Sequence, residues 1–255
     1  MKNKKFFIHI GNFKTGSTTL QKFLFLNKKL LKKNNIGVIY DKENFFKKNI
    51  NNMLLFKYLD NLNENKIFYY LKRNKEKHLI ISSEYFSCIS LDIKKIKLLK
   101  KMIIKLGYEP NIIFFSRNGP MFFYSFYREI LKQNKSLKIK DNVFDYLQKI
   151  KKYGYYFYNK NDKYYLGHNF YFKNNLINKN WKKIFKKNFI SIKFDKKHKS
   201  KLLHDFINIL ELKNVDFKIP EIQNKTTIKF WHLKRIFNYI LIYFYYFLIL
   251  NKINK

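Results

Sequence analysis

The chain has 255 residues, 46% of them hydrophobic, which is enough to bury the core of one large domain and excludes intrinsic disorder as its main character. Its formal net charge of +37 attracts polyanions at long range, yet only Arg73, Arg117, Arg128 and Arg235 are arginine and the lysines are spread from end to end. That is composition bias, and it sets aside a dedicated nucleic-acid surface, which would concentrate the guanidinium forks that read phosphates and guanine edges.

The opening residues MKNKKFFIHI carry positive charge ahead of a short apolar run. The run stops at Gly11 with no small-residue cleavage site, so Phe6 to Ile10 reads as a strand and not as a signal. Thr18 to Lys33 follows with Leu20, Phe23, Leu24, Leu30 and Leu31 near a 3.6-residue period, a helix starting at Gly16 or Ser17. Gly37 to Tyr40 and His78 to Ser82 are the next strands. Asp92 to Leu106 is a helix with Asp92 as N-cap, Ile93, Ile96, Leu99, Ile103 and Leu106 on one face, and Gly107 as its stop. Asn111 to Ser116 is a strand, and Pro120 suits the first turn of a helix running to about Lys135.

After Ser136 the pattern weakens. The aromatic tract from Tyr153 to Tyr165 has no clean period and is expected to form substrate-facing loops and short helices. A helix from Asn169 through Trp181 to Phe185, a strand over Phe189 to Phe194, a helix from Lys199 to Leu212 and a loop at Pro220 complete the pattern. Strands alternating with helices predict an α/β fold, a single domain with a central, mostly parallel sheet flanked by helices. Cys88 is the single cysteine, so no intrachain disulfide or multi-cysteine zinc site can form and a reducing cytoplasm is the expected location. Ile236 to Leu250 is nearly all apolar and bracketed by Lys234, Arg235 and Lys252, but at fifteen residues it is short for a membrane span. It is expected to be a helical tail, buried or in peripheral contact with a membrane interface that basic and aromatic flanks would favour.

The chemistry concentrates in Gly11 to Thr19, GNFKTGSTT, which joins the first strand to the first helix. A glycine-bounded loop at a helix start gathers backbone N–H groups at a positive helix end and binds phosphate without a metal. The spacing G-x4-G-S-T is close to the nucleotide-binding G-x4-G-K-[ST], but Ser17 stands in the lysine position and the lysine has moved to Lys14. From there an ammonium can reach the bridge between a phosphate and a group being transferred. Two of the chain's seven glycines lie in this loop, which argues against an ordinary tight turn.

FFIHIGNFKTGSTTLQ resembles the 5′-phosphosulfate-binding loop of sulfotransferases that use 3′-phosphoadenosine 5′-phosphosulfate (PAPS), particularly carbohydrate-modifying and bacterial members. The resemblance implies a fold like that of P-loop nucleotide-binding proteins and PAPS as sulfuryl donor. It implies Lys14 at the phosphosulfate bridge and Gly16, Ser17, Thr18 and Thr19 on the 5′-phosphate, with Gly11 and Thr15 as the loop's other cofactor-binding positions. The family's arginine at a strand end and serine eight residues later fall on Arg117 and Ser125 in IIFFSRNGPMFFYSFY, where they would hold the 3′-phosphate. An arginine fork suits that anion; the competing reading is a surface ion pair and a helix-surface serine. Weaker likenesses are W-x3-F at Trp181 and Phe185, DFINIL at Asp205 to Leu210, and PEIQNKTT with Thr226 in place of serine, so the resemblance spans Lys5 to about Phe237.

Sulfuryl transfer needs a base for the acceptor hydroxyl. Glu84 lies just past a strand, at the edge of an open α/β sheet where ligands bind, and partial burial would raise its pKa toward that task; the alternative is a capping or ion-paired glutamate. The resemblance supports a glutamate base in the carbohydrate-acting branches and a histidine, here His168, in the small-molecule branch. His9 reads as a satisfied core histidine, and the aromatics at 153 to 172 as packing before sugar or adenine stacking. A P-loop nucleotide kinase would need a lysine after Gly16 and a strand-end aspartate for magnesium, neither of which is present. A basic membrane- or polyanion-binding protein with a degenerate nucleotide site is the other rival. The expected activity is sulfuryl transfer from PAPS to a glycan or glycolipid hydroxyl without a metal, on a domain of residues 1–235 with a tail at 236–255.

Overall fold

The run KFFIHIG forms strand β1 (Lys5–Gly11), whose last six residues are all buried, and it lies at the centre of a sheet. The computed structural model describes residues 4–11, 15–41, 52–117, 155–159, 162–166, 174–194 and 199–220. After β1 come α1 (Ser17–Leu26), α2 (Lys28–Lys33), β2 (Ile36–Ile39), α3 (Met53–Asp60), α4 (Glu64–Leu71) and β3 (His78–Ser83). A 3-10 helix (Glu84–Leu91), α5 (Ile93–Lys105) and β4 (Glu109–Ser116) follow, then β5 (Tyr155–Asn159), β6 (Asp162–Leu166), α6 (Asn174–Phe185), β7 (Phe189–Lys193) and α7 (Lys199–Ile209). Five strands pair in the order β2-β3-β1-β4-β7, every pair parallel, so the fold is α/β as expected. The chain divides into two compact units, residues 1–117 with 176–224, which hold this sheet, and residues 118–175 with 225–255.

The register fixes which side chains share a face. His9 pairs with Ser82 on one side and Ile113 on the other, and Gly11 pairs with Phe115. Alternation along a strand therefore puts Phe7, His9 and Gly11 on one face with Ile80, Ser82, Ile113 and Phe115. That face carries a core to which α1 gives Leu20, Phe23 and Leu24 and α7 gives Leu202, Leu203 and Phe206. Each such side chain contributes about 1.5–3 kcal/mol on burial, so α1 is clamped from both ends of the sequence. On the other face Phe6 meets Tyr108 edge to face at 5.9 Å. Trp181 of α6, fully buried, donates from Nε1 to Ser90 Oγ at 2.7 Å.

The connection out of β1 leads to β2, whereas the chain leaving β4 next joins the sheet at β7, on the opposite side. Adjacent strands whose connections diverge open a crevice at their carboxyl ends, the usual ligand position in an open α/β sheet. Here that position lies beyond Gly11 and Phe115, the last paired residues of β1 with β4.

Three expectations are corrected. The helix over Thr18 to Lys33 is two helices, because the buried Asn27 side chain leaves the helical pattern: its Nδ2 donates to the carbonyls of Phe23 and Lys218 at 2.9 and 2.8 Å, and its Oδ1 accepts from the Lys218 N–H at 2.8 Å. The aromatic tract contains an antiparallel pair, β5 with β6, in place of loops and short helices. The helix from Lys199 ends at Ile209, short of Leu212, and Glu211 takes a positive φ of 61°. By contrast Asp92 caps α5 as expected, accepting from the N–H groups of Lys94 and Lys95, and Gly107 ends it at φ 81°. The N–H groups of Gly107 and Tyr108 return to the carbonyls of Ile104 and Ile103 at 2.8 and 3.2 Å, closing the helix. The helix expected from Pro120 and the tail beyond 236 lie outside the described residues.

Candidate functional site

Gly16 starts α1 in the left-handed region, at φ 93°, a conformation that costs other residues energy. A Cβ there would also lie 2.7 Å from Leu202 Cδ2 and 3.2 Å from Phe194 Cε2, so the loop is pressed against the chain that follows β7. The carbonyl of Gly16 accepts from the N–H groups of Thr19 and Leu20 at 3.0 and 3.2 Å. Gly16, as the N-cap residue, brings no side-chain cap, and the first turn holds no acidic residue. Its positive end is thus left for another negative group.

Gly11 at the other end of the loop has a different role. A Cβ on it would lie 2.5 Å from Ser17 Oγ, 3.1 Å from Thr15 Oγ1 and 3.2 Å from His9 Nε2. Three polar atoms from strand, loop and helix converge where this residue has no side chain. Ser17 is 1% exposed and His9 0%, and neither Ser17 Oγ nor His9 Nε2 has a hydrogen-bond partner among the described residues. Buried polar atoms left this way cost about 1–3 kcal/mol each, so a native chain keeps them where something else satisfies them. The residues present therefore fit an oxyanion such as a phosphate.

Arg117 follows β4 directly, and its guanidinium lies over the Phe194 ring at 5.1 Å. The Phe194 N–H donates to the Ser116 carbonyl at 2.7 Å, which fixes the ring against the strand end. Phe194 touches both the Gly16 position and Arg117, so it joins the loop to the arginine. Burial lowers the arginine's pKa, the mark of a cation partly withdrawn from water.

Behind the loop a polar chain runs across the sheet edge. His9 Nδ1 lies 2.8 Å from Ser82 Oγ, and the Ser82 carbonyl accepts from Asn52 Nδ2 at 2.9 Å. The Tyr70 hydroxyl lies 2.8 Å from Asn52 Oδ1 and 2.5 Å from Asp41 Oδ1. The hydroxyl donates toward both acceptors, which ties Asp41 and Asn52 into one buried polar group. Burial raises the Asp41 pKa, against the lowering effect of its hydrogen bonds from Tyr70 and the Leu54 N–H. The Tyr70 pKa is raised by burial and then by Asp41. Burial alone pushes the His9 pKa down to about 3, so its imidazole is neutral.

Glu84 is half-buried and opens the 3-10 helix after β3. Its carbonyl accepts from Ser87 Oγ at 2.6 Å, and Ser83 caps the turn by accepting from the Tyr85 N–H. Ser83 pairs with Ile10, so Glu84 leaves the sheet at the level where β1 gives way to the loop. Gly11, Thr15, Gly16, Ser17, Thr18, Thr19, Glu84 and Arg117 thus lie at one edge of the five-stranded sheet; Thr18 is exposed and Thr19 half-buried. Lys14, Ser125 and His168 lie outside the described residues. His9 is a core histidine with one ring nitrogen satisfied among the described residues, where both were expected to be. Sequence reasoning also missed Phe194 and Ser82; the sole signals were a residue ending FISIKF and a serine in the SSE that drew attention to Glu84.

Among the described residues no three His, Cys, Asp or Glu cluster as a metal site, and no helix is long and apolar enough to cross a membrane. No protein-family model matches the chain, and no curated protein matches its sequence. Among solved structures, the crystal structure of a sulfotransferase from Alicyclobacillus acidocaldarius is similar at a TM-score of 0.46 and 11% identity, over 88% of each chain. A likeness of that degree assigns neither an activity nor a residue's role.

Proposed function

We propose that the chain is a sulfotransferase that holds PAPS through the loop from Gly11 to Thr19 and passes its sulfuryl group to a hydroxyl, of a glycan or glycolipid by the branch its loop resembles. The observation that carries this reading is the convergence of Ser17 Oγ, Thr15 Oγ1 and His9 Nε2 on the Gly11 position, beside a helix start whose N-cap residue is a glycine. Backbone N–H groups of α1 and the loop hydroxyls hold the 5′-phosphate. Arg117, at the neighbouring strand end, holds the 3′-phosphate with Ser125, and its stacking on Phe194 keeps the fork oriented.

The acceptor oxygen attacks sulfur, and the bond from sulfur to the phosphate oxygen breaks. The electron pair goes to that oxygen, where negative charge grows, and the acceptor proton goes to a base. Lys14 meets the growing charge, which is where a fixed cation accelerates the step most. Glu84 takes the proton, with His168 as the other candidate. The test is incubation of the purified chain with radiolabelled PAPS and a panel of glycan, glycolipid and phenol acceptors. Label in a glycan or glycolipid supports the reading; label in phenols alone removes the glycan assignment and favours His168. No transfer to any acceptor, together with no PAPS binding and retention on anionic vesicles, replaces the enzyme by a binding protein.

A further inference from the structure

His9 is the one polar side chain in the apolar run of β1, and it lies on the face where Gly11 opens toward the loop. Its ring is fixed on two sides, by Ser82 Oγ at 2.8 Å from Nδ1 and by the tilted Phe115 ring at a centroid distance of 4.3 Å. Its second nitrogen, Nε2, is 3.2 Å from the Cβ position of Gly11 and has no partner among the described residues. Ser17 Oγ, equally buried and equally without a partner there, points to the same position from α1.

We propose that His9 is a ligand-binding residue, which donates from Nε2–H to an oxygen of the anion held by this loop, and that Ser82 selects the tautomer that makes it a donor. This rests on the loop's being the phosphate-binding element. If the Ser82 hydroxyl donates to Nδ1, the ring proton sits on Nε2 and faces the anion. With the opposite tautomer Nε2 presents a lone pair, which an anion repels. The neutral ring supplies direction and not charge, so it complements the cations proposed for the same ligand. A buried donor of this kind also reports distance. It reaches an oxygen seated against Gly11 and misses a phosphate held farther out by α1 alone.

The experiment uses the full chain and two probes, 3′-phosphoadenosine 5′-phosphate (PAP), the desulfated donor, and adenosine 3′-phosphate, which lacks the 5′-phosphate. His9→Phe weakens PAP about tenfold or more and leaves adenosine 3′-phosphate unchanged. His9→Gln, whose amide nitrogen can reach the place of Nε2, restores part of the loss, and Ser82→Ala gives a smaller loss with the ring intact. The chain has six histidines, so in nitrogen-labelled protein the signal missing from His9→Phe identifies His9. Its Nε2-bound proton is expected in the free protein and shifts when PAP is added.

PAP binding that Gly11→Ala abolishes and His9→Phe leaves intact overturns the role of His9 while the loop reading stands. Equal weakening of both probes, or a ring protonated on Nδ1 in the PAP complex, overturns it as well by making His9 structural. If the wild-type chain does not bind PAP, the loop reading falls and the proposal falls with it.

Discussion

Gly11→Ala separates the site from the fold. The added methyl carbon would sit 2.5 Å from Ser17 Oγ and 3.1 and 3.2 Å from Thr15 Oγ1 and His9 Nε2, where ordinary contacts begin at 3.4 Å. Gly11 is not among the glycines with positive φ, so alanine meets no backbone penalty there and gains about 0.4–1 kcal/mol by restricting the unfolded chain. Against that stands a crowding cost of about 1–3 kcal/mol, held to the low end because Ser17 Oγ is one torsion from its backbone and can swing aside. The net change in stability is then about 0–2 kcal/mol. The effect on an anion is larger, because the methyl takes the place where three polar atoms converge and offers no hydrogen bond in exchange. PAP affinity is expected to fall about a hundredfold or more, equivalent to two charge-assisted hydrogen bonds. Gly107→Ala is the control: its φ of 81° strains alanine by about 1–2 kcal/mol, but nothing lies within 4 Å of the new carbon. Urea unfolding with calorimetric titration of PAP reads both quantities. Retained PAP affinity in Gly11→Ala, or equal loss in Gly107→Ala, would show that the anion does not sit against Gly11.

Other outcomes follow from the same geometry. Arg117→Ala should weaken PAPS about tenfold or more while adenosine 5′-phosphosulfate, lacking the 3′-phosphate, binds as before; equal weakening means that the arginine only braces Phe194. Glu84→Gln should leave PAP affinity unchanged and slow transfer by about 10²- to 10⁴-fold, whereas a fully active variant beside an inactive His168→Ala moves the base to His168. His9, with its folded pKa depressed from 6.5 to about 3, binds a proton more readily unfolded, so stability falls as pH drops through that window, by up to about 1.4 kcal/mol per unit. His9→Phe should flatten this slope; an unchanged slope assigns it elsewhere. Asp41 works in the opposite sense, since its raised folded pKa gives stability that is present at low pH and lost as pH rises through that pKa. Relative to wild type, Asp41→Asn should therefore gain stability with rising pH, and a constant difference in urea unfolding would contradict a raised Asp41 pKa.

The sheet and its loop were legible because the central strands β3, β1 and β4 are short apolar runs closed by Ser83, Gly11 and Ser116, and a buried parallel strand needs little else. The loop also carried its chemistry in glycine spacing. What stayed hidden depends on partners far along the chain. The break in the first helix comes from Asn27 bonding Lys218, which no local period records. In YYFYN and DKYYL bulky aromatics stand at successive positions, so no alternation marks the strands. The sequence placed His9 on a strand but could not tell which ring nitrogen would find a partner. Phe194 gained meaning only when β7 brought it between Gly16 and Arg117.

On the proposed reading, the loop from Gly11 to Thr19 holds the 5′ end of a 3′-phosphorylated adenine nucleotide. Calorimetric titration of the purified chain with PAP in excess chelator, against ATP with magnesium, tests it most directly. Saturable PAP binding at one site per chain is expected, undiminished by the chelator and tighter than ATP. Tight magnesium-dependent ATP binding with no response to PAP would contradict it.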